Sequence, residues 1–121
     1  MRHVLIIDDD DELDPRPEGA VQAYDHIEAV VALRSRSAWH EVWFDHDLGP
    51  RGDSMKVVEY LEERQEAGDP VRIDAVYVHS MNPSGAENLV KALSRLYPTR
   101  RVTLPWIRTT RSLQESPHAA G

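Results

Sequence analysis

The sequence predicts a single α/β domain built on a parallel sheet, and three observations carry that expectation. Short apolar runs rich in β-branched and aromatic residues alternate with stretches of helical periodicity. Alternating strands and helices imply a parallel sheet covered on both faces, a three-layer sandwich. The chain has 121 residues, 40% hydrophobic and 29% charged, which is enough for one core and too little for two.

Four runs read as strands: His3 to Asp8, Glu41 to Asp45, Ile73 to His79, and Arg101 to Leu104. The run Gly19 to Tyr24 is a weaker fifth candidate. Three segments read as helices. His26 to Arg36 presents Ile27, Val30, Val31 and Leu33 on one side. Ser54 to Ala67 carries Met55, Val58 and Leu61, and Gly68-Asp69-Pro70 stops it. Ser84 to Leu96 carries Leu89, Val90, Leu93 and Leu96 and ends before Pro98. Between the first two strands, Asp9 to Glu18 holds Pro15 and Pro17, so a loop is expected in place of a crossover helix. The domain is expected to span 1–107, followed by a polar tail over 108–121.

Composition removes several function classes. Without cysteine there are no disulfides, thiolate sites or cysteine nucleophiles. The N-terminal apolar stretch Val4-Leu5-Ile6-Ile7 is too short for a signal peptide or membrane span, so a cytoplasmic location is the expectation. A net charge of −7 argues against an extended nucleic-acid surface, which requires a basic face. A nucleotide or an RNA end held locally stays compatible. Asp8, Asp9, Asp10, Asp11, Glu12 and Asp14 crowd negative charge into one segment, which solvent or a cation among them can relieve.

In open parallel sheets, ligands bind beyond the carboxyl ends of the strands. Here those ends read Asp8-Asp9-Asp10, Asp45-His46-Asp47 and His79-Ser80. Asp8-Asp9 is either a site for a hard cation or a solvated turn that stops the strand. Asp45 and Asp47 fall on one side of an extended chain, with His46 directed elsewhere. His79-Ser80-Met81-Asn82-Pro83-Ser84-Gly85 closes one strand and opens a helix, and free N–H groups there suit a phosphate. Ser84 with Glu87 reads equally as a capping box, and the two readings are compatible. Trp39, Trp43, Phe44 and Tyr60 read as core or near-core aromatics, while His3, His26, His40 and His118 show no partner pattern.

The acidic strand ends and Ser80 resemble the receiver domains of bacterial response regulators. That resemblance implies a flavodoxin/receiver-like sandwich with a five-stranded parallel sheet, and Mg²⁺ bound by the acidic pair and the central Asp. Receivers also use a lysine after the fifth strand. The only lysines here, Lys56 and Lys91, fall within predicted helices. The chain is more closely similar to a divergent group, the cyclic-phosphate-processing receiver domains. The shared pattern is Asp8-Asp9 with Arg16, then Asp45-His46-Asp47-Leu48-Gly49, Gly52-Asp53, His79-Ser80-Met81-Asn82-Pro83-Ser84-Gly85, and Asn88. It spans roughly Met1 to Leu104 and accounts for the absent first helix.

The resemblance implies a metal-dependent phosphoesterase that processes a cyclic phosphate on an RNA end or a nucleotide. Asp8, Asp9, Asp45 and Asp47 are the candidate metal ligands, for Mg²⁺ or alternatively Mn²⁺. Asp45, His46, His79 and Ser80 are the candidate catalytic residues, with Asp45 either ligand or nucleophile. Arg16, Ser80, Asn82, Gly85 and Asn88 are the candidate phosphate contacts. Two other functions fit the same residues: a signalling module phosphorylated on Asp45, and a non-catalytic binder of a cyclic nucleotide.

Overall fold

The computed structural model describes residues 2–9, 19–46, 48, 53–79 and 82–102. Along the chain run β1 (Val4–Ile7), β2 (Val21–Ala23), α1 (His26–Arg34), β3 (Ala38–Phe44), α2 (Met55–Glu66), β4 (Arg72–His79), α3 (Pro83–Ser94) and β5 (Thr99–Val102). The five strands form one sheet in the order β2-β1-β3-β4-β5, every neighbouring pair parallel. This is the receiver-like α/β architecture expected from the sequence. The weak fifth candidate is a true strand, short and at the sheet edge. β3 starts earlier than Glu41, and β5 starts at Thr99. The expected loop over Asp9 to Glu18, except for Asp9 itself, and the expected tail over 108–121 lie outside the described residues.

β1 sits between β2 and β3, and all four of its residues are buried, Leu5 and Ile7 in one cluster and Val4 and Ile6 in another, so it shows no polar alternation. Leu5 and Ile7 join Val42, Phe44, Val76 and Val78 in the main core, where α1 contributes Ala29 and Leu33, α2 Val57, Val58 and Leu61, and α3 Ala86, Leu89 and Leu93. All three described helices therefore share one core. The alternate strand residues Val4 and Ile6 form a second, smaller cluster with Val102, against which Ala20, Trp43 and Tyr77 pack. Among the described residues no helix residue joins this second cluster.

The helix ends follow their local chemistry. Asp25 caps α1 by accepting from the Glu28 N–H at 2.8 Å, and the Glu28 carboxylate in turn accepts from the Tyr24 N–H. Gly68, at φ 77°, ends α2 as expected. Its N–H donates to Gln65 and that of Asp69 to Arg64, the paired bonds of a left-handed glycine cap.

Two expectations are corrected. The buried side of α1 carries Ala29 and Leu33, whereas Ile27 and Val31 are 62% and 61% exposed. Leu33 is buried as expected and brings Ala29, four residues before it, to the same face, while Ile27 and Val31 pair on the outward one. The cap of α3 is Asn82, whose carboxamide oxygen accepts from the Gly85 N–H at 3.0 Å. With Pro83 in the first turn, the helix begins ahead of Ser84, so Ser84 is already helical and exposed. Among the described residues no helix is long and apolar enough to cross a membrane.

Candidate metal centre

Register builds the centre. Ile7 pairs with Phe44, and Phe44 with Val78. The next residue on each of the three central strands is Asp8, Asp45 and His79. Neighbouring strands lie just under 5 Å apart, so three in-register residues at one rim fall within reach of a common centre. Main-chain bonds fix the rim: the Asp45 N–H donates to the Ile7 carbonyl at 2.9 Å and the Asp8 N–H to the Ala23 carbonyl at 3.0 Å. Gln22 donates its side-chain amide to the Asp8 carbonyl at 2.7 Å. The strand order reverses direction between β1 and β3, and at such a switch point an open parallel sheet leaves a crevice.

Each of Asp8, Asp45 and His79 offers one ligand atom, and these atoms all lie within 4.8 Å of one another. His79 Nδ1 stands 3.8 Å from Asp8 Oδ2. Asp8 and His79 are buried, Asp45 half-buried. Below the imidazole, Trp43 stacks on Tyr77 at 4.5 Å and meets His79 tilted, with ring centroids 6.0 Å apart. Buried carboxylates side by side repel strongly unless a positive charge joins them. Two carboxylates and an imidazole converging at this distance are a donor set that can hold a divalent cation.

A second group of side chains positions His46. Its ring lies over Gly85, where an added Cβ would overlap the imidazole. Its Nε2 faces the Asp53 carboxylate at 3.8 Å, and the other Asp53 oxygen accepts from the Met55 N–H at 2.9 Å. Ser54, fully buried, donates its hydroxyl to the Asp45 carbonyl and its N–H to the His46 carbonyl. The start of α2 thus clamps the main chain of Asp45 and His46 from below.

The site residues expected from sequence divide accordingly. Asp8, Asp45 and His79 come together, while His46 is seated beside the N-terminal turn of α3. Asp9 is exposed and stands outside the three-residue group. Asn82 and Gly85 are engaged with each other as a helix cap. Asn88 is exposed further along α3. Arg16, Asp47 and Ser80 lie outside the described residues. His40 does have a partner: its Nδ1 accepts from the His3 N–H at 2.8 Å, and the two rings stack. Lys56 and Lys91 are exposed on α2 and α3. Two positioning residues, Asp53 and Ser54, were not among the candidates. Gly52-Asp53 stood in the pattern, but nothing in linear spacing signals that Asp53 reaches back to His46.

Comparison with known proteins agrees with this geometry. A family model described as the cyclic-phosphate processing receiver domain matches residues 3–95, and the chain belongs to that family. No curated protein and no solved structure matches the chain.

Proposed function

We propose that this member of the cyclic-phosphate processing receiver family opens a cyclic phosphate, on an RNA end or a nucleotide, with the help of a divalent cation at the carboxyl rim of its sheet. The observation that carries the reading is the convergence of Asp8, Asp45 and His79 within 4.8 Å at the switch point. A phosphodiester is an anion, and two carboxylates would repel it, so this rim suits phosphate chemistry when a cation stands between them. Such a cation supplies positive charge against the non-bridging oxygens and polarises the phosphorus centre.

The chain's own groups supply the rest. Ring opening forms a phosphorus–oxygen bond from water and breaks one ring ester bond, and the departing alkoxide takes up a proton. His46, held by Asp53 and Gly85, is the proposed proton-transfer group, since imidazole both accepts and donates near neutral pH. Asp45 is the proposed ligand at the centre, and its grouping with Asp8 and His79 supports that role over attack on phosphorus. Arg16, Asp47 and Ser80 complete the proposal as groups contacting the phosphate and the cation.

The test is a screen of 2′,3′-cyclic nucleotides and RNA with a cyclic end, in Mg²⁺ or Mn²⁺, comparing wild type with Asp45→Asn. Ring-opened product from wild type alone is the expected result. A stable phosphoryl adduct on Asp45 after a small phosphodonor would replace this reading with a signalling switch. Tight binding without product would make the domain a binder.

A further inference from the structure

We propose that His79 acts as a ligand and not as a proton carrier, and that it biases the centre toward a later first-row dication such as Co²⁺ or Zn²⁺ over Mg²⁺. The inference rests on the metal-assisted reading above and deepens it by assigning the class of ion.

Burial does not suit the usual demands of proton transfer. His79 is the last residue of β4, paired with Val102 of β5 on one side, and only 1% exposed. Its ring rests against Trp43. An imidazole serving as acid and base must reach its reactant and exchange with solvent in each cycle. Such burial suits a fixed ligand better. His46, with 13% of its side chain exposed and Asp53 alongside, has the access that His79 lacks.

The spacing points the same way. The separation of 3.8 Å between His79 Nδ1 and Asp8 Oδ2 exceeds hydrogen-bond reach. Metal–ligand bonds of about 2.1 Å place adjacent octahedral ligands about 3.0 Å apart and opposite ones about 4.2 Å apart. The observed gap is below the larger of those values, so both atoms can reach one ion, and the 4.8 Å limit on the whole group leaves only a small closing movement for the third. The donor set then decides the ion. Mg²⁺ takes oxygen donors and keeps its waters, while imidazole favours the later first-row ions. A buried imidazole beside the two carboxylates Asp8 and Asp45 therefore shifts the preference toward those ions.

The experiment titrates the full chain with Mg²⁺, Mn²⁺, Co²⁺ and Zn²⁺ by calorimetry, and follows the His79 ring nitrogens by NMR as Zn²⁺ is added. Wild type should bind Zn²⁺ or Co²⁺ at least about tenfold more tightly than Mg²⁺, with a His79 ring-nitrogen resonance shifting on saturation. His79→Ala should lower that selectivity at least about tenfold, and His79→Asn, closer in shape, repeats the test if the alanine variant fails to fold by circular dichroism. Preference for Mg²⁺ in wild type, or selectivity undiminished in a folded His79 variant, would overturn the inference while leaving the metal-assisted reading intact. Wild type binding no divalent cation would overturn both.

Discussion

The imidazole of His46 occupies the space where a side chain at position 85 would begin. This contact ties the rim after β3 to the first turn of α3, and so links the proposed proton-transfer group to the element that follows β4. Gly85 has no positive backbone φ, so its need for glycine comes from the close approach alone.

Gly85→Ala therefore runs against ordinary helix energetics. Alanine inside a helix is favoured over glycine by about 1 kcal/mol. Here the substitution should instead cost about 1–3 kcal/mol, through overlap with the His46 ring. Urea melts of Gly85→Ala, His46→Ala and the double variant check this. The cost of Gly85→Ala should vanish in the His46→Ala background, and a cost unchanged there would place the strain elsewhere.

Ser54→Ala removes the hydroxyl that holds the Asp45 carbonyl from a fully buried position. Leaving that acceptor without its donor should cost about 1–3 kcal/mol. Because the Asp45 main chain loosens, divalent-cation affinity should fall as well. Chemical denaturation and cation titration of the same variant read the two effects. A loss of stability with unchanged affinity would confine Ser54 to folding.

Tyr97 makes stability depend on alkaline pH. Burial raises its phenol from 10.0 to about 12, against a smaller opposing effect of the nearby Arg64 charge, and its hydroxyl donates to the Val71 carbonyl at 2.7 Å. Above the unfolded value of 10.0 the unfolded chain loses the proton first, so rising pH favours unfolding. The stabilisation is full below pH 10 and is lost between about 10 and 12, by up to about 2 kcal/mol. Tyr97→Phe should flatten that part of the stability profile, and an equally steep fall in the variant would assign it to other groups.

Ile27 and Val31 face outward from α1, so charge is tolerated there. Ile27→Lys and Val31→Glu should each change stability by no more than about 0.5 kcal/mol. Ala29→Leu, on the buried side, should cost about 1–3 kcal/mol by overpacking. Thermal melts of the three variants separate the faces. Equal destabilisation by all three would contradict the assigned orientation of α1.

Local chemistry was enough to place most of the architecture. Val4-Leu5-Ile6-Ile7 reads as a buried strand closed by acidic residues, and Gly68 ends α2 because only glycine takes that backbone turn without strain. The inner face of α1 is legible only in part: Leu33 is buried, but Ile27–Val31 and Ala29–Leu33 are both pairs four residues apart, and hydrophobic size alone does not say which pair meets the core. The α3 cap offers two permissible local bonds, Ser84 with Glu87 and Asn82 with Gly85, and Pro83 in the first turn starts the helix ahead of Ser84 and so selects Asn82.

By itself the sequence determined the parallel α/β class, the element order, and the polar strand ends that belong to one rim. These depend on periodicity, turn residues and strand length, which are properties of neighbours along the chain. Only the tertiary structure decided that Asp8, Asp45 and His79 share a centre while Asp9 stands in solvent, and that Asp53 and Ser54 support the residues before them. The pairing register across three strands sets those distances, and register is fixed by how the whole sheet packs.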